Sequence, residues 1–195
     1  MSKELTTLTK EPDEGTPYTK NLSAFKGVFL GGKDRHMADG LKDPVNWLYE
    51  YNPGSGVLTI EKEDGSTSPE TVLTDIKELE NISVVFDRQM QLVVTYVRQG
   101  VCYIWSYDPV HQEYRETELE GRHVKATLSS HYRLHAPFSE VVIGYVKDDK
   151  TLCIRLQRDR YTREYVVQEF DTKITLHSIS YTDKNRFQYE ILEHL

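Results

Sequence analysis

Between Ile82 and Leu119 the chain reads ISVVFD, QLVVTYV, VCYIWSY and EYRETEL, interrupted only by the short polar breaks DRQM, RQG and DPVHQ. Segments this rich in β-branched and aromatic residues read as strands, and the residues between them as tight turns. Consecutive strands joined by such short turns make an antiparallel meander. That succession constrains the fold more than any other feature of the sequence.

The pattern extends in both directions. Upstream, FKGVFLGG reads as one buried strand, and VNWLYEY, the turn NPGSG and VLTIEKE as strand, turn, strand, closed by Asp64-Gly65. Residues 66–80, STSPETVLTDIKELE, fit two states. Ser68 or Thr67 before Pro69 would start a helix with Val72, Ile76 and Leu79 on one face, whereas Val72-Leu73-Thr74 would sit equally well in a strand. Downstream, ATLSSHYRL, EVVIGYV, TLCIRLQ and EYVVQEF form a second pass, with KDDK and RDRYT at turns. KITLHSIS and RFQYEIL predict a closing hairpin. Residues 1–24 are rich in Thr, Lys, Glu and Pro without hydrophobic period and read as an extended arm.

The passes superpose. An offset of 51 places Cys102 on Cys153, Asp108 on Asp159, Glu113 on Glu164 and Tyr114 on Tyr165, while QLVVTYV matches EVVIGYV with a two-residue insertion in the later hairpin. A weaker copy aligns Tyr51, Asn52 and Pro53 with Tyr107, Asp108 and Pro109 at an offset of 56. Units of about 40 to 55 residues with three or four strands each are characteristic of propeller blades. The expected fold is therefore all-β, antiparallel meander repeats in a propeller-like arrangement, with a β-sandwich as the alternative. Residues 25–195 would form one β-rich domain, with repeats at approximately 25–65, 81–120 and 126–171 followed by the hairpin. So few units fall short of most closed single-chain propellers, so closure by oligomerisation is one expected outcome.

Composition narrows the function classes. The chain has 195 residues and a formal net charge of −7, which argues against a phosphate-binding face. Arg155, Arg158, Arg160 and Arg163 form a local basic stretch, but Asp159 and Glu164 interrupt it and strand alternation would divide it between two faces. Nucleic acid is not expected as a partner. The only cysteines, Cys102 and Cys153, sit in apolar runs and read as reduced structural thiols. No signal-peptide pattern and no apolar run of membrane-spanning length is present, so neither secretion by such a signal nor a membrane span is expected.

Motifs of chemistry are weak. GVFLGGK, Gly27 to Lys33, matches the letters of a phosphate loop, yet Asp34 follows where Ser or Thr is needed and apolar residues fill the supposed loop. Ser106-Tyr107-Asp108 begins the Asp box of sialidase-like propellers, but Pro109 and Val110 follow, without the required Gly and Trp. His131 and His135 have metal-ligand spacing only on a helix, and they fall among strands. Neither catalytic, cofactor nor metal residues are assigned, and the chain is expected not to be an enzyme. Thirteen tyrosines are an excess that suits either cross-strand packing or a contact surface. The candidate interface or glycan contacts are Trp105, Tyr107, Tyr114, Tyr161 and Tyr165.

FDRQMQLVVTYVRQGVCYIWSYDP, SEVVIGYVKDDKTLCIRLQRDRYTREYVV and NRFQYEI together resemble a family of tail-associated virion structural proteins of tailed bacteriophages, with β-propeller-like repeats. The resemblance covers about Ile82 to Ile191 and is carried most by Arg158 to Tyr165. It implies a virion protein of the tail or head-to-tail region, assembled in the host cytoplasm, that acts as an adaptor among other virion proteins and copies of itself. It implies no catalytic residue. The alternatives are a carbohydrate- or receptor-binding module at the tail, contacting a host glycan, and, third, a sialidase-like glycosidase.

Overall fold

The structure is a computed structural model that describes residues 6–7, 25–34, 43–129, 139–182, 184 and 186–194. The described chain is all-β, and its order begins with the short strand β1 (Thr6–Thr7). Sheet 1 contains β2 (Phe25–Gly32), β3 (Pro44–Asn52), β4 (Val57–Lys62) and β5 (Glu70–Leu73). Sheet 2 contains β6 (Leu79–Phe86), β7 (Leu92–Arg98), β8 (Val101–Asp108) and β9 (Glu113–Leu119). Sheet 3 contains β10 (Arg122–Leu128), β11 (Val141–Lys147), β12 (Thr151–Leu156) and β13 (Tyr165–Glu169). Sheet 4 is the hairpin of β14 (Lys173–Tyr181) and β15 (Phe187–His194), with β1 added in parallel to β15.

Sheets 1 to 3 are four-stranded antiparallel meanders in sequence order. The first strands of successive sheets approach one another in turn, β2 to β6, β6 to β10 and β10 to β14. The array is open, and propeller-like and sandwich-like stacking are both compatible with it. Residues 66–80 contain no helix: the strand reading holds at Glu70–Leu73 and again from Leu79, and between them Asp75 and Glu78 have φ of 58° and 59°, which a right-handed helix does not tolerate. The Thr67 hydroxyl accepts the Lys62 N–H at 3.0 Å, holding the chain back against β4.

Alternation decides which side chains meet. Sheet 1 sends Phe29 and Trp47 into sheet 2, where both rings meet Phe86, with centroids 5.1 and 5.2 Å apart. Gly31 is needed beside them, since a Cβ there would lie 2.4 Å from Phe86 Cδ2. Sheet 2 reaches sheet 3 through the Ser83 hydroxyl, which donates to the Ala126 carbonyl and accepts the Ala126 N–H. Between sheets 3 and 4, Val146 and Leu152 pack on Ile174, Leu176, Ile179 and Ile191.

The second strands of sheets 2 and 3 carry an equivalent tyrosine. Tyr96 and Tyr145 lie two residues before the hairpin-closing pairs Arg98 with Val101 and Lys147 with Thr151. Both are fully buried and face the preceding sheet. Tyr96 donates its hydroxyl to Glu116, and Tyr145 donates to Glu164 at 2.5 Å. A cation completes each group: Arg98 pairs with Glu116 at 2.8 Å and Lys147 with Glu164 at 3.0 Å. In sheet 1, where the closing pair is Asn52 with Val57, the same position holds Glu50, bonded to Lys26 at 2.9 Å. Among the described residues no sheet covers that face of sheet 1, and the charged pair is exposed on it. The face also exposes Val28, 58% accessible, beside a hollow of about 240 Å³ bordered by Leu48, Tyr49 and Ile60.

The repeat at offset 51 joins strands of like order, with Cys102 and Cys153 on third strands and Tyr114 and Tyr165 on fourth strands, but it is one residue out of register. Tyr96 pairs with Tyr103 and Tyr145 with Cys153, so the counterpart of Cys153 is Tyr103 and the two cysteines face opposite sides of their sheets. The offset of 56 does not join strands of like order, because Tyr51 ends a second strand and Tyr107 a third. Both thiols are buried, and burial pushes each up to about 11. A thiol-specific disulfide reagent at pH 8 is therefore expected to leave the native protein nearly unlabelled and to modify two thiols in denaturant. Labelling of the native chain at the unfolded rate would contradict this placement.

Candidate contact surface

The turn between β8 and β9 concentrates the aromatic side chains. Tyr107 and Tyr114 are directly paired across the two strands, and their rings meet edge to face at 5.5 Å. Trp105, on the same face, lies flat on Tyr114, with centroids 4.1 Å apart and planes 10° apart. The Tyr114 hydroxyl donates to Gln91 Oε1 at 2.9 Å and accepts the Leu92 N–H at 3.1 Å, which fixes its ring. Further along that face Tyr103 stacks on Tyr96, and the Arg98 guanidinium lies 4.4 Å from the Tyr103 ring. Trp105, Tyr103, Tyr107 and Tyr114 are all half-buried.

The turn below is charged. Asp108 accepts the Val110 N–H at 2.9 Å and contacts His111 at 2.7 Å, and these contacts, His111 foremost, hold its carboxyl below the usual carboxylate range. Arg115 reaches Glu113 at 2.6 Å and Asp108 at 3.7 Å. The resulting surface is an aromatic ledge with a rim of paired charges. It can stack on a planar or ring-shaped apolar face and bond its hydroxyls.

Tyr161 and Tyr165 are not part of that ledge. Tyr165, half-buried on β13, donates to Asp159 Oδ2 at 2.7 Å and lies under Arg163, 4.9 Å from its ring. Tyr161 is only 8% accessible and belongs to the core cluster of sheets 1 to 3. Arg160 and Tyr161 both take a left-handed backbone, φ 52° and 58°, after the 3-10 turn Gln157–Asp159, and this bend directs the ring inward. Its hydroxyl has no partner among the described residues, and burial, with the Asp87 and Glu140 charges, raises its pKa.

Asp87, which sequence reasoning did not single out, anchors that junction. It is 3% accessible; Oδ1 accepts the Gln89 and Gln91 N–H groups at 2.9 and 2.8 Å. Oδ2 accepts Gln157 Nε2 at 2.8 Å, linking sheet 2 to sheet 3 across 70 residues of sequence. Burial raises its carboxyl above the usual range despite these bonds. The basic stretch is dispersed: Arg155 donates to the Tyr145 hydroxyl and the Tyr161 carbonyl, Arg158 pairs with Glu140, and Arg163 covers Tyr165. The phosphate-loop letters run through strand β2. His131 and His135 lie outside the described residues, among which no group of three His, Cys, Asp or Glu side chains could hold a metal. No described helix is long and apolar enough to cross a membrane.

The fold and surface define a class no narrower than an open, all-β repeat protein with an aromatic ledge. No family model, no curated protein and no solved structure matches the chain.

Proposed function

We propose that the chain is a non-enzymatic virion protein of a tailed bacteriophage, an assembly or adaptor module in the tail or head-to-tail region. The supporting sequence resemblance spans sheets 2 to 4. The structural observation that carries the reading is the make-up of sheet 4 among the described residues. Its own hairpin gives two strands where the other sheets have four, and a third comes from the N-terminus. A sheet that recruits a strand from a distant arm suits a part that locks into a larger assembly. Mass spectrometry of purified particles and of infected-cell lysate tests this. The protein is expected in particles at stoichiometric abundance; abundance in lysate with absence from particles would overturn it.

The aromatic ledge favours a second reading, recognition of a host glycan at the tail. Trp105, half-buried and stacked on Tyr114, is the residue such a ligand would meet. A glycan array with hits lost in Trp105→Ala would support it, and an array without hits would remove it.

A further inference from the structure

We propose that the free edge of β15 is a strand-acceptor site and that in the assembled protein its occupant is the N-terminal strand of a second copy of this chain. The inference deepens the assembly reading and rests on it. Within one chain the edge is already shown to accept this segment: Thr6 pairs with Glu190 and Thr7 with Ile191, in parallel. The contact is short, two residues against a strand of eight, so the backbone of Phe187–Tyr189 and Leu192–His194 meets no further strand on that side among the described residues.

Two residue pairs form a weak ladder, and what holds it within one chain is proximity more than contact area. Residues 8–24 join β1 to β2. Fully extended, seventeen residues span about 55 Å, and a folded domain of this length is roughly 40 Å across. The tether therefore reaches a neighbouring copy as readily as its own last sheet. In dilute solution the tether favours the intrachain pairing; packed side by side, neighbours offer the same edge at comparable effective concentration, and each exchange links two chains without new contacts.

The test uses full-length chains with one added cysteine each, Thr6→Cys and Glu190→Cys, carrying tags of different size, mixed and mildly oxidised. The native thiols are buried, and the parent chain serves as control. Exchange gives a Thr6→Cys to Glu190→Cys heterodimer on a non-reducing gel. Its yield should rise about tenfold for each tenfold increase in concentration until saturation, as a bimolecular contact must. At the concentrations where the heterodimer forms, deleting residues 1–9 from the full chain should lower the mass in solution measured by light scattering. A chain carrying both Thr6→Cys and Glu190→Cys reports the intrachain pairing, and the proposal is overturned if only that double variant crosslinks, within one chain, at every concentration, or if the deletion leaves the mass unchanged at the highest concentration. Particle content reports separately: a chain absent from virions that still exchanges strands would overturn the virion reading alone, and a virion chain that crosslinks only within itself would overturn strand exchange alone.

Discussion

Replacing Tyr145 by Ala is expected to destabilise the protein by about 3–5 kcal/mol, the usual cost of deleting a large buried aromatic side chain. The side chain is fully buried against sheet 2, and its hydroxyl is held by Glu164 and by Arg155 Nε at 3.2 Å. Tyr145→Phe keeps the ring and removes only the hydroxyl, so it should cost about 1–2 kcal/mol. Urea denaturation of the two variants measures the difference; equal, small effects would mean that the ring does not fill the space between the sheets. The same group predicts a pH dependence. The Tyr145 hydroxyl bond, then Lys147, holds Glu164 below its ordinary 4.5. Its stabilising contribution is therefore complete above that value and disappears as the pH falls through the lower, folded-state pKa. In Glu164→Gln that part of the acid destabilisation should be gone.

Asp87→Ala should cost about 2–4 kcal/mol, because two turn N–H groups and the Gln157 amide lose their acceptor in a nearly water-free site. Asp87→Asn is the informative partner: its oxygen can still serve the turn, and the buried charge is gone. It should fall well short of the Ala variant. The linkage runs opposite to that of Glu164, since burial raises Asp87. Its contribution is complete below the unfolded carboxylate pKa and is lost as the pH rises through the folded value. Comparing Asp87→Asn with the parent between pH 4 and 8 should show a relative gain for the variant as the pH rises. Identical pH profiles would show that Asp87 is not the titrating group in this junction.

Much of the strand order was legible, because turn residues such as Asp64-Gly65 and Gln99-Gly100 punctuate segments dense in Val, Ile and Tyr. The constant offset of 51 found the right strands but missed the register by one residue, because the loop between Lys147 and Thr151 is longer than that between Arg98 and Val101 by one residue and not two. The acceptors of the buried tyrosines did not follow from it. Glu116 follows Tyr96 by 20 residues and Glu164 follows Tyr145 by 19, because the turns around them differ in length, so no rigid superposition aligns the two groups. The Asp87 to Gln157 bond was hidden for a simpler reason: it depends on how sheets stack, which local pattern does not encode. Tyr161 read as a surface aromatic because it follows a charged turn, and only the left-handed pair at Arg160 and Tyr161 turns it inward. The ledge was half visible. Alternation places Trp105 and Tyr107 on one face, but which side of the sheet stays open depends on the neighbouring sheets.

The Lys26 to Glu50 pair also bears on how such a chain could lengthen by gene duplication. A repeat copied in front of sheet 1 would bury two charges where sheets 2 and 3 bury a tyrosine, whereas a repeat inserted after sheet 1 would meet apolar faces on both sides. A unit packed against the outer face of sheet 1 would therefore incur a charge-desolvation cost that a unit placed behind it would not.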